Sequence, residues 1–254
     1  MTAARNIGVQ SYCFRRFTDN RRVIELTRQI GVDRVEICSV HANFDDVEAF
    51  KGIVDLYGNA GIKIVSLGVQ RFVGDVSRER KWFACAQAAG AGHISAHFTV
   101  GTFATAIPAV AALCDEFGVR VGIHCHGGYN FGGSPDVLEH LLQLGGKNIG
   151  INLDTAWCMQ IGPYAGDPVQ WIRERFRGRI YGVHYKDFVF DRRGQWKDVV
   201  IGTGNLDLPG VVAALEETGF DGMAVVEYEA DPENPVPALA QCVRRIRDLT
   251  SSSG

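Results

Sequence analysis

Val121-Gly122-Ile123-His124-Cys125-His126-Gly127-Gly128 is an apolar run that ends in two histidines and breaks at two glycines. Read as a strand, its alternation puts His124 and His126 on one face and Cys125 on the other. Two imidazoles aimed from one strand end can hold a metal or move protons. Which of the two they do depends on what the neighbouring segments bring to the same place.

Before this stretch the chain repeats one pattern four times. Ile7–Cys13 reads as a strand, and Thr18-Asp19 caps a helix through Val23, Ile24, Leu26 and Ile30. Residues 32–38 are a second strand, and Asn43 caps a helix from Val47 to Tyr57. Residues 62–69 form a third strand, after which Asp75 opens a helix over 76–89. Residues 92–98 are a fourth strand, followed by a helix over 102–117 that Pro108 should kink. Residues 119–124 are thus the fifth strand.

The pattern continues after it. Ser134-Pro135 and Asp167-Pro168 are cap-then-proline helix starts, for helices reaching Leu144 and Gly178. Residues 149–154, 179–184 and 222–227 are strands six to eight, and helices cover 208–218 and 236–249. Residues 191–205 read as a polar loop. Eight strands alternating with eight helices and no linker predict one α/β domain over residues 1–250, a parallel (β/α)8 TIM barrel, with 251–254 as a frayed tail. An open doubly wound sheet is the competing architecture.

The 254 residues carry a formal charge of -3, so no positive field attracts nucleic acid or an anionic membrane. The first residues lack the apolar core of a signal peptide, no run reaches membrane-spanning length, and a cytoplasmic protein is expected. Seven scattered cysteines without a CxxC pair indicate reduced thiols, most of them small core residues. No GxGxxG is present, and Gly202 and Gly204 lack the lysine and hydroxyl of a phosphate loop, so no nucleotide cofactor is expected.

In such a barrel the chemistry stands at the carboxyl ends of strands. Four consecutive strands end in His124, Asp154, His184 and Glu227, all metal-binding types. Any one of them alone is more often a hydrogen-bonded or solvated residue. As a set they favour a cation, because acids entering a barrel mouth are rarely left unpaired. Gln10, Glu36, Arg71 and His97 stand at or near other strand ends and are candidates for binding substrate hydroxyls or phosphate. Lys186 shares a face with His184, as an electrophile or acid or, more simply, as the partner of a nearby carboxylate.

The chain resembles the xylose isomerase-like barrels of sugar phosphate isomerases and epimerases, which include ketose 3-epimerases and inosose dehydratase. The resemblance rests on His184-Tyr185-Lys186-Asp187, on Asn152-Leu153-Asp154-Thr155, and on Ile201-Gly202-Thr203-Gly204-Asn205 followed by Gly219-Phe220-Asp221-Gly222 and Glu227. It implies metal ligation by Asp154, His184, Glu227 and the residue ending strand five. It also implies proton transfer beside a carbonyl through an enediolate. The chain departs from that family twice. His124-Cys125-His126 stands where Glu-Asn-His is usual, which removes one of two proton-transferring glutamates. Asp154-Thr155-Ala156-Trp157 stands where Asp-x-x-His is common, leaving Trp157 as an apolar wall for a sugar ring.

Two carboxylates and two imidazoles suit manganese first, with cobalt, iron or zinc also compatible. The expected protein is a divalent-metal isomerase or epimerase of a small sugar, keto-sugar or sugar phosphate, with Glu227 or His126 taking the proton. A dehydratase of a keto-inositol or 3-keto-sugar is the alternative, and a non-catalytic sugar-binding barrel comes third. A nuclease of the same architecture is disfavoured by the charge balance and by too few strand-end ligands. The partners expected are small carbohydrates or polyols, with no nucleic acid and no membrane; a homo-oligomer is left open.

Overall fold

The computed structural model describes Thr2 and residues 6–127 and 130–249. Gly128, the second glycine of the opening stretch, and the 251–254 tail lie outside them.

Eight parallel strands close into a barrel: β1 (Ile7–Gln10), β2 (Arg34–Ile37), β3 (Lys63–Phe72), β4 (His93–Phe98), β5 (Arg120–His124), β6 (Ile149–Asp154), β7 (Ile180–Tyr185) and β10 (Met223–Val226). A two-stranded antiparallel hairpin, β8 (Phe188–Phe190) and β9 (Trp196–Asp198), is inserted after β7. Around the barrel the order is β1-β10-β7-β6-β5-β4-β3-β2, so β5, β6, β7 and β10 are successive neighbours. This closure excludes the open sheet. The strands read as continuous apolar runs because helices cover their outer faces. Val9, Val35, Ile94, Val121, Ile151, Val183 and Val226 are completely buried.

The connecting helices are α1 (Asn20–Gln29), α2 (Val47–Asn59), α3 (Val76–Ala89), α4 (Phe103–Phe117), α5 (Pro135–Gly145), α6 (Pro168–Gln170), α7 (Leu208–Glu217) and α8 (Val236–Leu249). Asp19, Asp75 and Asp167 cap α1, α3 and α6 through their carboxylates. Asn43 does not cap α2. It accepts from the amide of Asp45, and Asp46 takes the cap by accepting from Ala49; both side chains can cap, and the shorter path wins. Ser134 precedes α5 without a side-chain bond to it. The helix expected to reach Gly178 ends early. After α6 the chain widens into a π turn, Trp171–Arg175, which carries the fully buried Trp171 and directs its indole N–H to the carbonyl of Ala165 at 2.6 Å. The first strand is also shorter than expected, because Ser11–Phe14 curls into a 3-10 turn capped by Gln10. α4 runs unbroken through Pro108.

All seven cysteines are buried thiols. No helix among the described residues is long and apolar enough to cross a membrane.

Candidate active site at the barrel mouth

β5 ends at His124, and Gly127 turns the chain away with φ 55°, where a Cβ would strike Gln160 and Trp157. Cys125 points outward as alternation requires, accepting the amide of Asp154 at 3.2 Å. His126 lies beyond the strand, half-buried, and stacks on Trp157 with ring centroids 4.4 Å apart. The two histidines of the opening stretch therefore separate, one on the floor of the mouth and one on its wall.

On the floor, one ligand atom each from His124, Asp154, His184 and Glu227 lies within 4.8 Å of all the others. Barrel register causes this: Asp154 pairs directly with His184, and the four strands are consecutive. Asp154 Oδ1 accepts the amides of Ala156 and Trp157 at 2.9 and 2.8 Å. Its Oδ2 and the Nε2 of His124 are buried without a hydrogen-bond partner among the described residues, 3.6 Å apart. His124 Nδ1 is engaged by His97 Nε2 at 3.2 Å, which leaves Nε2 as the atom free to act. Such orphaned atoms in a buried cluster are costly unless something fills the space between them.

His184 lies between two carboxylates. Glu227 Oε2 is 2.9 Å from Nδ1, and Glu36 Oε1 is 2.8 Å from Nε2, off the line of its N–H. Burial disfavours the imidazolium, but Glu36 and Glu227 outweigh it and raise the pKa to about 10. Burial likewise penalises the Glu36 carboxylate, yet His184 brings it down to about 2. Glu227 is held below the ordinary carboxylate range against its burial, by Lys186 and then His184. Asp154 is pushed up to about 6, chiefly by burial. Burial, then the neighbouring His184, pushes His124 well down, and burial with His124 brings His97 to about 2; both are neutral imidazoles.

The remaining candidates sort by position. Gln10, His97, His126 and Trp157 line a mouth cavity of about 720 Å³. Gln10 is internally committed, since its amide bonds to Glu36 and the carbonyl of Gly68, and its oxygen accepts from Tyr12. Glu36, another candidate for substrate binding, does not line the cavity. It is fully buried below the mouth, bonded to Gln10, to Ser95 at 2.6 Å and against His184, and the close approach of Gly68 seals it in, where a Cβ would strike Ser95. Arg71 stands exposed on β3, which runs to Phe72, and does not line the cavity. Lys186 is also off the cavity. It is 1% exposed and paired with Glu229, with Asp198 at 3.8 Å and Glu227 at 4.0 Å, and these acids hold it charged despite its burial. That is the simpler of its two expected roles.

The segment expected to be a polar loop supplies part of the wall. Asp187 accepts the amides of Gly202, Gly204 and Leu206 at 2.9, 2.8 and 3.0 Å, so the glycine motif wraps a carboxylate of its own chain. Next to it the hairpin presents Trp196, edge-on to Trp157 at 4.8 Å and stacked on Phe188 at 4.6 Å. Trp196, Lys197, Asp198, Glu229 and Arg15 line the cavity without having been singled out in the sequence. The signal that could have found the hairpin is Phe188-Val189-Phe190 and Trp196-Lys197-Asp198 flanking Asp191 and Gly194.

Known proteins resemble this chain in sequence and in fold. A rhizopine catabolism protein of Rhizobium meliloti is 32% identical over 136 residues, 48% of this chain and 40% of that protein. An inosose dehydratase of Geobacillus kaustophilus is 30% identical over 138 residues, 48% of this chain and 43% of that enzyme. Each match spans less than half the length of the curated relative. A solved 3-keto-D-glucoside 4-epimerase from E. coli superposes at a TM-score of 0.72, with 16% identity, over 96% of this chain and 99% of that one. The model of the xylose isomerase-like TIM barrel matches residues 24–249, and the chain belongs to that family.

Proposed function

We propose that this chain is a divalent-cation-dependent enzyme that moves a proton at the carbon beside the carbonyl of a small polyhydroxy ketone, with loss of a β-hydroxyl as water as the favoured outcome. The observation that carries this is the floor cluster, with His124 Nε2 and Asp154 Oδ2 orphaned and facing each other. Two imidazole nitrogens and two carboxylates at one point fit manganese, cobalt, iron or zinc better than magnesium, and manganese is the first choice. When bound, such a cation polarises a carbonyl oxygen and stabilises the charge that develops beside it.

The chain's own residues supply the rest. Glu227 is ionised and lines the cavity, so its carboxylate can take the proton. Asp154 is oriented by the Ala156 and Trp157 amides, and His184 by Glu36. Trp157 and Trp196 offer apolar faces to the C–H side of a polyol ring and exclude water. The seven buried thiols fit a reducing compartment, in keeping with a cytoplasmic enzyme.

Elimination ranks ahead of isomerisation or epimerisation for two reasons. Among the described residues Glu227 is the sole glutamate of the cluster, and Glu36 is locked beneath it, so the cluster itself offers one glutamate rather than a pair for proton transfer on two faces. A relative at 30% identity is also an inosose dehydratase. Epimerisation is the second reading, favoured by His126 on the cavity wall as a further proton carrier. Incubating the manganese-loaded chain with 2-keto-inositol or a 3-keto-sugar in deuterated water separates them by NMR. An unsaturated product supports elimination, and deuterium at an inverted stereocentre supports epimerisation. Neither change with either ketone would sink both.

A further inference from the structure

Asp198 ends β9 and faces the mouth cavity, yet it is only 6% exposed. Its Oδ2 accepts the amide of Glu229 at 2.8 Å, and Lys186 Nζ stands 3.8 Å from the same oxygen. Among the described residues Oδ1 is buried with no hydrogen-bond partner. An ordinary structural carboxylate has both oxygens satisfied. Here one oxygen is anchored and the other is left over on a residue that lines the cavity, so that Oδ1 is the oxygen able to hold a proton. Trp196, two residues earlier on the same face of β9, contributes to the aromatic wall beside it.

We propose that Asp198 is the general acid that protonates the departing hydroxyl, an assignment that rests on the elimination reading above. The base takes the proton from the carbon beside the carbonyl, and that C–H pair becomes the new carbon–carbon π bond. The C–O pair leaves with the β-oxygen, which takes the proton of Asp198 and departs as water. One water is lost, and no oxidant or reductant is needed. Afterwards Asp198 regains a proton from solvent as the base releases its own.

The surroundings favour a proton on this carboxyl near neutrality. Burial raises it to about 7, opposed by Lys186 from the end of β7 and by the Glu229 amide. Glu229 and Glu227, just beyond β10, push the same way as burial. Tyr228, from the same segment, the Cys242 thiol of α8 and the adjacent Lys197 of β9 are further titratable groups around it, and burial raises Tyr228 and Cys242 as well. A general acid works best with a pKa close to the working pH.

The test uses the full-length, manganese-loaded chain and its Asp198→Asn variant with 2-keto-inositol and a 3-keto-sugar in deuterated water. NMR follows exchange at the carbon beside the carbonyl separately from formation of the unsaturated product. Asp198→Asn should keep exchange within about threefold while product formation falls about 100-fold or more, the usual range for removing a general acid. The alkaline fall of the wild-type product rate near pH 7 should vanish with it. Product at the wild-type rate in the variant, loss of exchange together with product, or wild-type exchange without unsaturated product each overturns the assignment. If the wild type exchanges neither ketone, the elimination reading itself fails. Asp198 is then judged by carboxyl-13C titration against the variant: a midpoint near 7 supports a built acid, and one near 4 overturns it.

Discussion

The floor cluster and the β8–β9 hairpin meet at the same mouth but are held by different forces. His124, Asp154, His184 and Glu227 end four hydrogen-bonded neighbours of the barrel, and each is buried. Their positions follow from strand register, which cannot slip without turning every core side chain outward. The hairpin stands off the barrel ladder and leans heavily on side chains: Asp187 gathers the 202–206 amides, Asn205 accepts from Phe190, and Lys186 faces Asp198 and Glu229, beside backbone bonds from Val199 to Asp187 and from Asn205 to Phe188. Its Trp196 remains 44% exposed. The difference teaches a division of labour in which the candidate cation cluster sits on rigid ladders, while the hairpin's aromatic wall, Asp198 apart, shapes what enters and can vary at little cost to the fold.

The largest expected effect comes from the floor. Asp154→Asn or His184→Ala should weaken manganese binding by more than ~100-fold, beyond the range seen when only an orienting residue is lost. Activity should disappear with it. Titration calorimetry checks the first and product NMR the second; near-wild-type affinity in both variants would remove the cluster from the chemistry.

Glu36→Gln tests whether the floor needs its buried support. Glu36 does not line the mouth cavity, so the variant should leave the mouth unchanged while manganese affinity falls ~10–100-fold. The same group gives a pH signature. In the cation-free chain His184 is raised to about 10, so its stabilisation is complete below its unfolded value of ~6.5 and is lost as pH climbs toward 10. Glu36 is lowered to about 2, so its share is present above its unfolded value of ~4.3 and is lost as pH falls toward 2. Thermal melts without cation should therefore peak between about pH 4.5 and 6.5 for this pair. With manganese the optimum should move upward, because ligation requires the neutral imidazole and expels its proton. An unmoved optimum would argue that His184 is not a ligand.

The same division explains what the sequence made legible. Strand ends are readable because period-two alternation and the apolar runs locate them, and β6 and the final helix match the sequence pattern residue for residue. The gathering of His124, Asp154, His184 and Glu227 follows once the barrel is recognised. Glu36 was legible as a strand-end residue but not as a support, because its depth depends on a close approach by Gly68, 32 positions away. Arg71 was misplaced because β3 extends to Phe72 across a register shift near Leu67, which a short apolar run does not reveal. The hairpin was hidden by its own charges, as Asp191, Arg192 and Arg193 mask two three-residue strands as loop.

The smallest effect is expected at the hairpin's aromatic wall, and it is the sharpest test of the contrast. Trp196 packs on Phe188 and edge-on to Trp157, but it is almost half exposed and bonds to nothing on the floor. Trp196→Ala should therefore leave manganese affinity unchanged and shift stability by no more than ~1 kcal/mol, near the range of surface substitutions. What it removes is an apolar face for a substrate ring, so KM should rise several-fold while kcat changes less, the pattern of an interaction made equally in the bound and transition states. If kcat falls as steeply as kcat/KM, the Trp196 ring itself takes part in forming the transition state. The boundary drawn here between floor and wall would then run through Trp196 rather than beneath it.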